Sequence, residues 1–301
     1  MKKIIVNKPS NKIFWWALFY NCNKKCNGCA QKELPPINNS SIEYYIKLAS
    51  KVRDYVKFYN YDKIYIMGGE LTILKKFELI SILRILSGAN KKIKIFSNFT
   101  ADNKYYEDLI INENIRFEFS YHNEIFTIDE YCNKLFSFLK NIKNPNVVKL
   151  NYPLTEYQKK YAFEFKNKIN NKVYIRFHPN LGLTKDYTCY IRGTKNIDEV
   201  DKLENSTSFP VTIINDDDSK TVSNMNELRI SRNTNFYNWL CTKHDTVWLY
   251  INELRCYCSQ VLITKDFLNS DIKKIPCKKN HKCLSHSCQI VDEIISIEKE
   301  E

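Results

Sequence analysis

The feature that most constrains this chain is a regular alternation of strand-like and helix-like segments between residues 13 and 177. Residues 13–20, IFWWALFY, form a continuous apolar run of strand length, the pattern of a strand buried on both faces. Residues 40–58 then carry helical spacing, with Ile42, Tyr45, Ile46, Ala49 and Val52 on one face and Ser40 or Ser41 placed to cap it. The same succession repeats. Strands are predicted at 63–67, 93–96 (interrupted only by Lys94), 116–121, 147–151 and 173–177, and helices at 74–86, 105–112, 128–142 and 156–168. Alternation of this kind predicts parallel strands joined by right-handed crossovers, closed as a partial barrel or left as an open doubly wound sheet. In either case the functional loops lie at the C-terminal ends of the strands.

Beyond about residue 180 the pattern changes. Residues 210–214 and 220–223 flank Asp216, Asp217 and Asp218 and read as a hairpin; 247–251 and 255–260 read as a second. The expected organisation is a core over 1–200 and a small cysteine-rich unit over 201–301. Gly numbers 6 and Pro 8, which leaves no linker tract, and a 44% hydrophobic content supports a packed core. The apolar run after Met1, Lys2 and Lys3 stops at Asn7, too short for a signal peptide, and 13–20 is far shorter than the roughly 20 residues of a membrane span. A cytosolic protein without a membrane partner is expected. The barrel pattern starts almost at once, so no fused N-terminal peptide-recognition domain is expected either.

Eleven cysteines in such a chain point to metal or redox chemistry, because the cytosol keeps thiols reduced. Cys22, Cys26 and Cys29 share one tight loop just after the first predicted strand. Three thiolates there can converge on one metal centre. Structural zinc takes four ligands, and no fourth Cys or His lies nearby, although a distant ligand would complete such a site. A [4Fe–4S] cluster held by three cysteines keeps one iron open for a small chelating molecule. Met67-Gly68-Gly69-Glu70 follows the second predicted strand; the glycines allow close backbone approach, and Glu70 adds an anion.

Together the Cys-x3-Cys-x2-Cys loop and the Gly-Gly-Glu turn resemble the radical SAM superfamily over roughly residues 13–180. The resemblance implies an α/β fold, a partial (β/α)6 barrel, and a [4Fe–4S] cluster on Cys22, Cys26 and Cys29 that binds and reductively cleaves S-adenosylmethionine. The resulting 5′-deoxyadenosyl radical would abstract a substrate hydrogen, with electrons from a flavodoxin- or ferredoxin-type donor. Gly68, Gly69 and Glu70 match the motif that holds the methionyl amine, with Leu71 where Pro is usual. Ser97, Asn98, Ser120 and Asn151 stand at strand ends that contact the cofactor in that family, and His122 stands on the substrate side. Gly28 departs from the bulky residue usual before the last loop cysteine.

The C-terminal cysteines resemble the SPASM or shorter twitch extension. Cys241, Cys258, Cys277, Cys283 and Cys288 are candidate ligands for one auxiliary [4Fe–4S] cluster, with zinc as the alternative, Cys256 as a spare and His286 among them. Glu253 occupies the place of the usual turn glycine. Cys189 is a candidate hydrogen-atom donor or a structural thiol. The extension implies a peptide or protein substrate, acted on by an oxidoreductase, epimerase or bond-forming transferase. RNA, nucleotide or small-molecule substrates are alternatives, and a non-catalytic zinc module is the reading from another class. The net charge of +12 is compatible with nucleic acid, but the lysines are spread along the chain, as in AT-rich coding sequence.

Overall fold

The computed structural model describes residues 3–6, 12–26, 29, 41–154, 161–179, 181–183, 189–191, 210–224, 228, 239–241, 246–256, 262–275, 281–282 and 296–298. A strand without counterpart in the sequence pattern, β1 (Lys3–Val6), comes first. Then follow β2 (Ile13–Ala17), α1 (Ile42–Phe58), β3 (Lys63–Met67), α2 (Lys76–Ser87), β4 (Lys92–Ser97) and α3 (Asn103–Leu109). The series continues with β5 (Ile115–Ser120), α4 (Ile128–Asn141), β6 (Val148–Leu154), α5 (Ala162–Ile169) and β7 (Tyr174–Pro179). From β2 to β7 each strand pairs in parallel with the next, so the predicted α/β succession forms in chain order.

Local chemistry explains the helix starts. Ser41 Oγ accepts the Tyr44 N–H at the start of α1, and Thr127 and Glu130 form a reciprocal capping box on α4. Such caps are each worth about 1 kcal/mol. β2 is buried on both faces as expected, except at Trp15, whereas β3 and β4 alternate. Ile64, Ile66, Ile93, Ile95, Phe117 and Phe119 are fully or almost fully buried under the helices. Their neighbours Tyr65, Lys94, Phe96 and Ser120 are only partly buried on the opposite, concave face. Lys94 is therefore no flaw in its strand: its ammonium meets Glu118 Oε2 at 2.7 Å across β4 and β5.

After β7, β8 (Leu181–Leu183) and β9 (Cys189–Ile191) pair with each other. The first expected hairpin forms as β10 (Pro210–Ile214) and β11 (Lys220–Asn224). Next come β12 (Leu240–Cys241), β13 (Thr246–Tyr250), β14 (Glu253–Cys256), β15 (Leu262–Thr264), β16 (His281–Lys282) and β17 (Ser296–Glu298). The second hairpin, β13–β14, does not stand apart: β13 pairs in parallel with β2, so the six-stranded parallel sheet becomes nine strands in the order β15-β14-β13-β2-β3-β4-β5-β6-β7. In the other direction β1 joins a six-stranded sheet, β11-β10-β1-β17-β12-β16. Pairings between distant parts of the chain thus run both ways across residue 200.

Glu253 is not at the turn. It opens β14 opposite Tyr250, and the left-handed turn residue is Ile251 (φ 55°). The described part of the second strand is Glu253–Cys256, short of the expected 255–260.

Candidate functional site

The site grows from the C-terminal ends of β2, β3 and β4. Past the end of the ladder, the chain after β2 and the chain after β3 keep running side by side. Leu18 N donates to Met67 O, Gly69 N to Phe19 O and Glu70 N to Asn21 O, at 2.8–2.9 Å. This path requires the two glycines. A Cβ at Gly69 would stand 1.8 Å from Asn21 O, and one at Gly68 2.5 Å from Phe19 O. Close approach was expected toward a ligand; here the backbone that approaches is the root of the cysteine loop itself.

Glu70 lies fully buried between two strand ends. Its Oε1 accepts from Thr72 N (3.0 Å) and Ser97 Oγ (2.9 Å), and its Oε2 from Asn98 N (2.6 Å). Burial holds its carboxyl above the usual range, although these donors work the other way. Phe99 is in the left-handed region (φ 60°), which turns the chain after Asn98. Its ring is locked among Phe119, Tyr106, Tyr131 and Phe138, with centroids at 4.1–6.0 Å. Packing thus over-determines a strained backbone at this strand end.

A small polar network then fixes the start of the cysteine loop. Asn98 Nδ2 donates to Asn23 Oδ1 (3.0 Å) and lies 3.9 Å from Cys22 Sγ. Asn23 Nδ2 donates to Thr100 Oγ1 (2.8 Å), and Thr100 Oγ1 to Asn98 Oδ1 (2.6 Å). Asn23 and Thr100 were not singled out in the sequence. Asn23 fills an unspecified position of the Cys-x3-Cys spacing and Thr100 lies outside both motifs, and only the fold brings residues 77 positions apart into contact.

Cys22, Cys26 and Cys29 are free thiols, Cys22 and Cys29 exposed and Cys26 partly so. Burial, then nearby Glu124, pushes the Cys26 thiol up to about 12, and burial raises Cys22 as well. Among the described residues no group of three or more His, Cys, Asp or Glu side chains is gathered to metal-binding distance. The donor set nevertheless fits an iron–sulfur centre: free thiols on one loop whose thiolate charges repel one another, a repulsion that bound iron would reverse.

Ser120 ends β5, whereas β6 runs three residues past Asn151, which was expected to end it; the two stand in register, and Asn151 Nδ2 donates to Ser120 Oγ at 3.3 Å. Among the described residues, the side-chain oxygens of Asn151 and Asn21 are buried without a hydrogen-bond partner. Such orphaned acceptors, one in β6 and one at the root of the cysteine loop, suit a donor-bearing ligand. His122 is half-buried, and burial lowers its imidazole pKa. Cys189 and Cys241 are described only as backbone, in β9 and β12, and Cys256 likewise in β14. Gly28, Cys258, Cys277, Cys283, His286 and Cys288 lie outside the described residues. Cys132 is buried in α4, away from both groups in the sequence.

The sequence matches no family profile and no curated protein. Solved structures do match. His-tagged anSMEcpe with bound AdoMet aligns at TM-score 0.55 and 10% identity, over 88% of this chain and 80% of that one. The chain has the radical SAM fold. Streptococcus suis SuiB bound to S-adenosylmethionine aligns at TM-score 0.46 and 17% identity over 64% of this chain, which spans 46% of SuiB. Escherichia coli HemN, described as a radical SAM enzyme, aligns at TM-score 0.40 and 11% identity over 56% and 44% of the two chains. anSMEcpe has also been solved with AdoMet and the Kp18Cys peptide. Within this fold the cysteine loop, the Gly68-Gly69-Glu70 turn and the strand ends at Ser97, Asn98 and Ser120 all sit at the C-terminal rim of the parallel sheet, with Asn151 of β6 in register with Ser120.

Proposed function

We propose that the chain is a radical S-adenosylmethionine enzyme that modifies a peptide or protein. The observation that carries this reading is the clamped cysteine loop: free Cys22, Cys26 and Cys29 on a loop whose root is hydrogen-bonded to Gly69 and Glu70 at the sheet rim. When bound, a [4Fe–4S] cluster and S-adenosylmethionine supply the electron and the 5′-deoxyadenosyl radical for hydrogen abstraction.

The chain's own residues hold and orient. Cys22, Cys26 and Cys29 ligate the cluster. The Gly68-Gly69-Glu70 turn sets the height of the loop, and Glu70 works through Ser97 and Asn98 rather than as a free anion. Asn151 and Ser120 offer acceptors to the cofactor, and His122 faces the substrate side. The known peptide complex of anSMEcpe supports the substrate class. Cys241, Cys258, Cys277, Cys283 and Cys288 are assigned to an auxiliary cluster, and replacing Cys258 should remove about one cluster's worth of iron. A flavodoxin- or ferredoxin-type protein in a reducing compartment, the cytoplasm, is the electron donor in this reading. Among the described residues no helix is long and apolar enough to cross a membrane.

The deciding experiment is anaerobic. The protein is reconstituted with iron and sulfide, reduced with dithionite and mixed with S-adenosylmethionine, and 5′-deoxyadenosine is assayed. Formation that disappears in Cys22→Ala supports the reading. A colourless protein that holds zinc and releases no 5′-deoxyadenosine overturns it.

A further inference from the structure

The concave face of the sheet carries an unusual belt just below the rim. Barrel interiors are ordinarily filled by branched aliphatic side chains. Here one half is aromatic. Trp15 stacks on Trp248 (5.3 Å, 18°) and on Phe96 (5.3 Å, 26°), and meets Tyr65 edge-on at 4.8 Å. Trp248 in turn stacks on Tyr250 at 5.0 Å with the rings parallel to within 1°. All five rings keep some exposure. None of them belongs to the cysteine loop or the Gly-Gly-Glu turn.

The other half is cationic. Lys94 sits where the two halves meet, 4.6 Å over the Tyr65 ring, and pairs with Glu118. Lys149 pairs in register with Glu118 on one side and Tyr174 on the other, with Arg176 next on β7. Burial, then Lys94, Lys63 and Arg176, lower the Lys149 ammonium, while Glu118 raises it, so these five charged groups share one field. Four are cations and one is a carboxylate. Lysines spaced along the sequence are thus gathered by period-two alternation on neighbouring strands.

The belt is also in the right place. Phe96, Glu118 and Lys149 stand two residues, about 7 Å of strand, before Asn98, Ser120 and Asn151 on the same face. A molecule seated on the belt reaches the rim site.

We infer that this belt is the substrate seat and that it takes an acidic peptide segment carrying an aromatic side chain. The aromatic half stacks the ring, and Lys149 and Arg176 meet the carboxylates. The stacked rings run from β13 across β2 to β4, while Lys149 and Arg176 stand on β6 and β7, so the belt suits a ligand with an aromatic group toward one end and acidic groups toward the other, even though Lys94 lies over Tyr65 and Lys149 over Tyr174. Single-stranded nucleic acid instead calls for a basic groove tracking a continuous backbone beside the stacked bases. As to the reaction, this inference rests on the radical-enzyme reading above; as to binding, it stands alone.

The test is fluorescence anisotropy of a fluorescein-labelled Glu-Glu-Tyr-Glu-Glu peptide titrated with the full-length reconstituted protein. Binding should weaken as salt rises, and by roughly tenfold or more in a Lys149→Glu, Arg176→Glu variant, since both side chains are exposed charges. Replacing the peptide's Tyr by Ala, or Trp248 by Ala, should also weaken it. A circular-dichroism melt confirms that each variant folds. Equal affinity for the wild type and the charge-reversed variant, or tighter binding of an oligouridine than of the acidic peptide, overturns the inference. The 5′-deoxyadenosine assay is read separately. Cleavage without peptide binding sinks the seat alone, and peptide binding without cleavage sinks the radical reading alone.

Discussion

Glu70 Oε2 accepts the backbone N–H of Asn98 at 2.6 Å, and this contact ties the loop after β3 to the end of β4. Glu70→Ala strips the partner from Thr72 N, Ser97 Oγ and Asn98 N inside a dry site. A loss of about 3–5 kcal/mol in urea unfolding is expected. The pH dependence has a definite sign. Burial raises the folded pKa of Glu70, so the folded chain keeps this proton longer than the unfolded chain. The corresponding stability is fully present below the unfolded value and is lost as pH rises through the folded one. The stability of wild type relative to Glu70→Gln should therefore decline across that window, and a flat difference would refute the burial account.

Gly69→Ala tests the clamp. The added methyl meets backbone oxygens of Asn21 and Tyr20 at 1.8 and 2.5 Å, and backbone does not swing aside as a side chain does. The variant should lose about 1–3 kcal/mol or more of stability. Its reconstituted iron content should fall as the cysteine loop is displaced. Full iron with wild-type stability would show that the loop has another path.

Two cysteine variants separate chemistry from packing. Cys22→Ala should abolish cofactor cleavage and cut iron content. Cys132→Ala, in the core of α4, should keep the iron and cost about 1–2 kcal/mol in thermal unfolding. Iron lost equally from both would mean that the loop cysteines have no special role.

Asn98 should influence the cluster electronically. Its amide Nδ2 lies 3.9 Å from Cys22 Sγ, the range of an N–H···S contact. Hydrogen bonds to cluster sulfurs set the reduction potential, and removing one makes reduction harder. In Asn98→Ala the midpoint followed by electron paramagnetic resonance should move to more negative potential. An unmoved midpoint would leave Asn98 as a loop anchor through Asn23 and Thr100 only.

The Lys94–Glu118 pair is largely buried, with side-chain exposures of 18% and 6%. Removing only the carboxylate, in Glu118→Gln, should cost about 3–5 kcal/mol by denaturant unfolding, because a buried ammonium is left behind. Replacing both by apolar residues should recover most of that loss. If the double variant is no better than the single one, the pair owes its effect to something other than charge.

Much of this protein was legible in its sequence because the relevant forces act locally. Apolar periodicity marked β3 residue for residue and α1 to α4 to within a few positions, the helix expected at 156–168 is described from Ala162 on with 155–160 outside the described residues, and Ser41 sits where its hydroxyl caps α1. Cys22-x3-Cys26-x2-Cys29 and Gly68-Gly69-Glu70 stood out because their chemistry needs those residues close together in the chain. What only tertiary structure decided is which distant segments meet. Strand pairing is a backbone interaction that nearly any sequence satisfies, so nothing local told β13 to dock beside β2, or β1 to join a sheet built from residues beyond 200. The same holds for charge and strain. Lys63, Lys94, Lys149 and Arg176 look scattered until alternation on neighbouring strands turns them to one face, and Phe99 accepts a left-handed backbone only because the aromatic core holds its ring.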